Sequence, residues 1–407
     1  MGDFYQNGII TTLHNLSQRP LEDLEAELLS FSKKRPMGLI LPCLFSELET
    51  DAMPLILSHL KEVPYLKQIV IGLDRASEEQ YREALAFFSE LPQNYKVLWN
   101  DGPRLRAIDA KLQREELSPE QPGKGRNVWF CMGYVLASAE VESIAMHDCD
   151  ILTYDRELLA RLIYPVANPN FNYEFCKGFY ARVASGKING RVSRLLVTPL
   201  LRALKKVIGP MDYLEYLDSY RYPLAGEFSF RRDVMNDIRI PSDWGLEIGV
   251  LSEMTRNYSN NRLCQVDIAD IYDHKHQVLS PEDASTGLSK MSIDITKAVF
   301  RKLATNGVVF NQETFRTVKA TYFRIALDFV ETYRNDAEIN GLTLDVHGEE
   351  QAVELFARNI MKAGNHFLEN PMETPFIPSW NRVSSAYPGL QDEILAAVEA
   401  DMAEFGV

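Results

Sequence analysis

Gly38-Leu39-Ile40-Leu41, a helical stretch with Met53, Ile56, Leu57 and Leu60 on one side, and then Gln68-Ile69-Val70-Ile71-Gly72-Leu73 together decide the fold. Both apolar runs are short and nearly continuous, the pattern of a strand buried on its two faces. The alternation continues outward. A helix runs through Tyr81, Leu85 and Phe88, a third strand covers Tyr95 to Trp99, a helix spans Asn127 to Ala139, and a fourth strand covers Ser143 to His147. Strands alternating with helices predict an α/β fold built on a mostly parallel sheet flanked by helices. Ligands of such sheets bind beyond the carboxyl ends of the strands. Glu47 falls after the first strand, Asp74 after the second, and Asp148 with Asp150 after the fourth. Randomly placed acids would not favour one edge, so an active site is expected there.

Around this core, residues 1–35 read as an N-terminal helical segment, 36–280 as the main domain and 281–407 as a helical C-terminal region, with the boundary near Leu279 to Asp283. The 407 residues are 46% apolar and 25% charged, an ordinary globular composition. A net charge of −14 argues against nucleic acid as a partner, because that affinity is largely phosphate neutralisation by Lys and Arg. No apolar run reaches the roughly 18 residues that cross a bilayer, and the N-terminus carries no signal-peptide pattern. Cys43, Cys131, Cys149, Cys176 and Cys264 are odd in number, scattered and free of any CxxC pair, which reads as reduced thiols in a cytoplasmic protein.

Several clusters carry chemistry. Asp148-Cys149-Asp150, where a strand meets a loop, suits a hard divalent cation such as Mg²⁺ or Mn²⁺ shared with substrate phosphates; the alternative is a solvated acidic turn. His274, in Asp273-His274-Lys275-His276, is a sensible further metal ligand or else surface. Pro122-Gly123-Lys124-Gly125 opens a helix and could cradle a phosphate, or be a plain glycine turn. Gly190-Arg191-Val192-Ser193 opens a basic helix and is a candidate anion site. Leu224-Ala225-Gly226-Glu227 and Trp244-Gly245-Leu246-Glu247 are glycine turns that each lead to a glutamate, a possible acid/base pair of unknown separation. In the tail, Phe315, Val318, Tyr322, Ile325 and Phe329 form one apolar stripe and Val353, Phe356 and Ile360 another, which pack on the main domain or on a second subunit of a homodimer.

In order along the chain, these segments resemble a retaining nucleotide-sugar glycosyltransferase of GT-A, Rossmann-like fold, from the glucosyl-3-phosphoglycerate synthase family, related to mannosylglycerate synthases. The resemblance covers roughly residues 35–280 and rests on Pro42 to Glu47, Pro122 to Gly125, Asp148 to Asp150, Gly190 to Ser193 with Thr198-Pro199-Leu200-Leu201, Pro223 to Phe228, Trp244 to Gly249, and Asp273-His274. It implies transfer of glucose from UDP- or GDP-glucose to the 2-hydroxyl of D-3-phosphoglycerate; the alternatives are mannosyl transfer from GDP-mannose and a non-catalytic sugar-nucleotide-binding protein. A sugar nucleotidyltransferase would need a glycine-rich loop where this chain has Pro42-Cys43-Leu44-Phe45.

The resemblance also implies roles. Pro42, Leu44, Glu47, Asp74, Lys124, Asp148, Cys149 and Asp150 would bind the donor, and Asp150 with His274 would hold Mg²⁺ or Mn²⁺. Gly190, Arg191, Ser193, Trp244 and His276 would bind the phosphorylated acceptor, and Lys124, Glu247 and the Leu224 carbonyl would lie at the reacting centre. Ser193 stands where a Thr is usual, Trp244 where a Tyr is common, and His276 where an Asn is. The tail beyond about Asp283 is longer than in short bacterial members of the family.

Overall fold

The computed structural model describes residues 6, 8–17, 19–118, 123–274, 287–371 and 376–406. The strands are β1 Thr11–Leu13, β2 Met37–Leu44, β3 Leu66–Asp74, β4 Asn94–Trp99, β5 Ser143–Met146, β6 Phe175–Tyr180, a small hairpin of β7 Val183–Ala184 and β8 Lys187–Ile188, β9 Phe228–Arg231, β10 Ile240–Pro241, β11 Leu263–Ala269 and β12 Phe376–Ile377. Eight of them form the main sheet in the order β1-β11-β6-β9-β5-β2-β3-β4. All neighbours run parallel except β9, which is antiparallel to both β5 and β6.

The continuous apolar runs form strands because successive side chains enter different cores. Leu39, Leu41, Ile69 and Ile71 join Met53, Ile56, Leu57 and the helix Arg156–Ala167 on one face. Ile40, Val70, Ile144 and Met146 join the helix Lys124–Ser138 on the other. Exits from the sheet are locally specified. Ser77 and Gln80 cap the helix Glu78–Phe88 reciprocally, and Asp155 caps Arg156–Ala167 by accepting from Leu158 N at 2.8 Å.

The N-terminal segment holds the expected helix, Leu21–Phe31, but it also supplies β1, one of the two edge strands of the main sheet. Three residues are too few to show a period. Their placement is set from afar, by Gln265 Nε2 donating to Thr12 Oγ1 at 2.9 Å.

The C-terminal region is helical, with Gly287–Thr305, Gln312–Ile339, Val346–Glu369, Trp380–Ala386 and Leu390–Phe405. Phe315, Val318, Tyr322, Val353, Phe356 and Ile360 are buried in the same core as Leu195, Leu196, Leu200 and Leu204. Tyr322 also donates to Leu195 O at 2.7 Å. These residues are therefore covered within the chain, while Phe329, at the end of the first stripe, is only partly buried. Leu279 to Asp283, where the boundary was expected, lies outside the described residues. Among the described residues, no helix is long and apolar enough to cross a membrane, and all five cysteines are free and buried.

Candidate active site

The strand ends converge on a cavity of about 1020 Å³. Pro42, Cys43 and Leu44 come from β2, Glu47 from the short helix after it, Asp74 from the end of β3, and Asp148, Cys149 and Asp150 from beyond β5. Because β9 is antiparallel, with Phe228 opposite Met146, the loop that enters it brings Leu224 and Gly226 to this same edge. A β-carbon on Gly226 would lie 2.4 Å from Asp148 Oδ2, so only glycine lets that loop approach the carboxylate. Asp74 is buried, and burial pushes its carboxyl pKa up even though Asn100 Nδ2 donates to Oδ1 at 2.7 Å.

Lys124, at the start of its helix, lies between two carboxylates. Its Nζ is 2.5 Å from Asp148 Oδ1 and 3.3 Å from Glu247 Oε1. Burial opposes the charge on Lys124, but Asp148 and Glu247 outweigh it and hold the ammonium pKa well above its ordinary value. Asp148 is the converse case: burial raises its pKa, and the Lys124 charge reverses this to a net lowering. Gly123 and Gly125, on either side of Lys124, meet backbone at close range. Added β-carbons would sit 2.4 Å from Ser242 O and 1.9 Å from Pro241 O, so the glycines admit the backbone at the end of β10 and just after it.

Beneath the floor, Glu227 is fully buried. Tyr180 Oη donates to its Oε2 at 2.7 Å and Tyr272 Oη to its Oε1 at 2.6 Å, and the two rings stack at 3.7 Å. Both oxygens are engaged and Glu227 is absent from the cavity wall, so of the two glutamates after the glycine turns only Glu247 lines the cavity. Neighbouring Lys177 is buried and donates to Ala225 O at 2.5 Å; burial lowers its pKa to about 8.

Asp150 and His274 are brought together by a short antiparallel contact, Ile151 opposite His274, with Leu152 N donating to Asp273 O at 2.9 Å. His274 Nδ1 lies 3.5 Å from Asp150 Oδ2. Asp150 Oδ1 is buried and accepts no hydrogen bond from the protein. A buried carboxylate oxygen without a donor fits a cation. Among the described residues no group of three or more His, Cys, Asp and Glu side chains forms a cage. Among the described residues, Asp150 and His274 are the side chains that could hold a hard cation here, with room in its shell for diphosphate oxygens and water. His147 takes no part: it is buried, its Nδ1 lies 2.9 Å from Asp148 O, and burial lowers its pKa to about 4.

The same cavity is also lined by Arg182, Lys187, Arg191 and Lys290, together with Asn189, Gly190, Tyr222, Asp345 and Glu349. Gly190 has φ +77°, a left-handed conformation that favours glycine.

Comparison with known proteins decides the family. The chain is 48% identical to glucosyl-3-phosphoglycerate synthase of Persephonella marina, over 98% of this chain and 99% of that one. It is 38% identical to the enzyme of that name from Methanococcoides burtonii, over 99% of both. The chain belongs to the glucosyl-3-phosphoglycerate synthase family. It is accordingly a glycosyltransferase, and its C-terminal helices fall within the matched length. Glucosyl-3-phosphoglycerate synthase of Mycobacterium tuberculosis matches only 44% of this chain at 26% identity.

Among solved structures, that mycobacterial enzyme in complex with Mn²⁺, UDP-glucose and phosphoglyceric acid aligns with TM-score 0.53 and 19% identity, covering 74% of this chain and 89% of that one. Mannosyl-3-phosphoglycerate synthase from Rubrobacter xylanophilus aligns with TM-score 0.54 and 20% identity, covering 74% and 83%. The fold is thus GT-A type. No family model matches the chain.

Of the residues that sequence reasoning assigned to this glucosyl-3-phosphoglycerate synthase family site, Pro42, Leu44, Glu47, Asp74, Lys124, Asp148, Cys149, Asp150, Gly190, Arg191, Leu224, Trp244, Glu247 and His274 line the one cavity. Ser193 does not. It is buried inside a π-helical turn, Val192–Val197, that runs into the helix Thr198–Ile208, and its hydroxyl has no partner. The expected α-helical start would have presented Ser193 differently. Pro122 and His276 lie outside the described residues. Sequence reasoning missed Arg182, Tyr222 and Lys290, and also Thr343, Leu344, Asp345 and Glu349, which reach the cavity from the C-terminal region. Nothing in the local sequence marks them, since their only signal is the distant loop they meet.

Proposed function

We propose that this protein transfers glucose from a nucleoside-diphosphate glucose, UDP- or GDP-linked, to the 2-hydroxyl of D-3-phosphoglycerate, with retention at the anomeric carbon. The observation that carries this reading is one cavity lined both by strand-end carboxylates, Glu47, Asp74, Asp148 and Asp150 with His274, and by basic side chains that include Arg182, Lys187, Arg191 and Lys290. The first suits the hydroxyls of a nucleotide and a cation shared with its diphosphate. The second suits an acceptor that carries a phosphate and a carboxylate. The names of the full-length relatives agree with that pairing.

In this reading Asp150 and His274 would hold Mg²⁺ or Mn²⁺, whose chemistry there is to neutralise charge on the diphosphate. Glu47 and Asp74 would bind the ribose and base side of the donor, with Asp148 on the ribose, and Trp244 would border the acceptor. An ammonium has three N–H donors. Two of Lys124's meet Asp148 and Glu247, which leaves one for the leaving phosphate oxygen, where positive charge stabilises the developing negative charge. Glu247 would hold sugar hydroxyls. With Asp148 and Glu247 both tied to Lys124, no carboxylate is positioned as a covalent nucleophile, which favours a front-face path. The bond from the anomeric carbon to the phosphate oxygen breaks with its electron pair on phosphate, and the acceptor oxygen bonds to the same face. The acceptor proton passes to the departing phosphate, and the Leu224 carbonyl borders the reacting centre.

A panel of UDP-glucose, GDP-glucose and GDP-mannose against 3-phosphoglycerate and glycerate, with Mg²⁺ or Mn²⁺, tests the reading. Retained glucosyl product with 3-phosphoglycerate is expected. Product from GDP-mannose alone would replace glucose with mannose, product with glycerate alone would replace the acceptor, and nucleotide binding without product from any pair would overturn the proposal.

A further inference from the structure

Arg191 is held by a residue far away in sequence. Its Nε donates to Glu349 Oε1 at 2.7 Å, and Glu349 is 1% exposed in its side chain. The other carboxylate oxygen, Oε2, lies 2.9 Å from Arg194 Nη1, an ion pair outside hydrogen-bond angles, and Arg194 is itself fixed over the Tyr333 ring and by donation from Nε to Asn189 O at 2.7 Å. Among the described residues, Nε is the only atom of the Arg191 guanidinium with a protein hydrogen-bond partner, so the two terminal amino groups remain available on a residue that lines the cavity.

The surroundings make the same arrangement. Glu349 stands in the first turn of Val346–Glu369, where Gly348 has no β-carbon to press on Arg191, since one would lie 3.3 Å from Nη2. Just upstream, Thr343 N donates to Gly186 O at 2.8 Å and Thr343 pairs with Lys187, which clamps the β7–β8 hairpin that leads into Gly190 and Arg191. The C-terminal region thus holds the segment from Gly186 to Arg191 at two points.

We infer that Glu349 is a positioning residue for the acceptor: by taking Nε of Arg191 it fixes the guanidinium plane so that both terminal amino groups meet one anionic group of the substrate. The inference rests on the proposed acceptor role of Arg191. A buried carboxylate beside an anion-binding arginine would otherwise be adverse, because it cancels part of the charge that attracts the ligand. Its benefit is orientation, since a bidentate contact needs the guanidinium plane fixed.

Two substitutions separate orientation from charge. Glu349→Asp keeps the charge but shortens the reach to Arg191. Glu349→Gln keeps the reach and an oxygen acceptor but removes the charge. Steady-state kinetics with both substrates varied, together with Tm, reads the result. For Glu349→Asp the KM for 3-phosphoglycerate should rise about 10- to 100-fold, the range expected for losing a hydrogen bond to a charged group, while kcat and the nucleotide-sugar KM stay within about twofold. Glu349→Gln should leave the acceptor KM within about threefold of wild type even though Tm falls, because Arg194 keeps less compensation.

An unchanged or lowered acceptor KM in Glu349→Asp, a Gln variant no better than the Asp variant, or equal losses for both substrates each overturn the inference. Wild-type protein without saturable turnover of 3-phosphoglycerate overturns the functional reading, and this inference with it. Saturable wild-type turnover with no shift in Glu349→Asp overturns the inference alone.

Discussion

Replacing Lys124 with Met keeps the bulk and length of the side chain and removes its charge. Asp148 and Glu247, with side chains 24% and 10% exposed, would then share a pocket without their cation. Removing one partner from a buried ion pair costs about 3–5 kcal/mol; Lys124 keeps 30% of its side chain in solvent, so about 2–3 kcal/mol is expected near pH 8. The loss should depend on pH. In the wild type, burial raises the Asp148 pKa but Lys124 brings it below its ordinary value, so Asp148 adds stability above its unfolded pKa of 3.8 and loses it as pH falls through the lower folded value. In the variant the lowering by Lys124 is gone, and burial, the largest cause, outweighs the smaller lowering by His274 and His147. Asp148 would then bind a proton more readily folded than unfolded, and the gap to wild type should narrow between about pH 8 and pH 5. Equilibrium urea unfolding at the two pH values measures it, and turnover should fall about 100-fold as one electrostatic donor is lost. A gap of equal size at both pH values, or one below about 0.5 kcal/mol near pH 8, would refute the reasoning.

Other perturbations probe separate parts of the site. Asp150→Ala should reduce kcat by about 100-fold or more and weaken metal-dependent nucleotide binding, checked by metal titration; wild-type metal-dependent turnover would remove Asp150 from the metal site. Gly125→Ala places a carbon 1.9 Å from Pro241 O and should destabilise by about 1–3 kcal/mol, readable as a drop in Tm without any ligand present. Arg191→Ala should raise the acceptor KM far more than the nucleotide-sugar KM, and equal effects would remove it from the acceptor end. Burial, followed by repulsion from Asp294, raises the Asp243 pKa from 3.8 to about 6, so the folded state holds the extra proton and stability falls as pH rises between those values. Asp243→Asn should flatten that slope and gain about 1–2 kcal/mol near pH 8, and an unchanged slope in thermal melts would exclude Asp243 as its source.

The parts legible in the sequence were those whose signal is local. β2, β3 and β5 stand out because a strand buried on both faces has to be apolar throughout, and Glu47, Asp74, Asp148 and Asp150 follow from where such strands end. The glycines around Lys124 were visible as a turn, but what they accommodate was not, because Pro241 and Ser242 lie more than a hundred residues away. The antiparallel course of β9 is hidden for a related reason. Phe228–Arg231 is short, and only its pairing with β5 and β6 gives it a direction. Ser193 was put at the acceptor by the resemblance, and the π-helical turn that buries it leaves no periodic signature in six residues. Glu349, in Gly348-Glu349-Glu350, looks like any solvated acid until Arg191 and Arg194 are brought to it.

The helix Leu390–Phe405 has a consequence for how this protein is made. Lys96 on β4 pairs with Glu399, and Tyr134 donates to Glu399 at 2.8 Å, across 303 and 265 residues of chain. Phe405 meets the rings of Tyr81 and Trp99, which stack on one another at 4.8 Å. The half of the sheet that carries Glu47 and Asp74 is therefore left with bare aromatic surface until synthesis has passed residue 405. On a ribosome adding about 5–20 residues each second, that surface waits on the order of fifteen seconds to a minute for its cover. Transiently exposed apolar surface of this kind favours aggregation, and slow translation of the tail would lengthen its exposure.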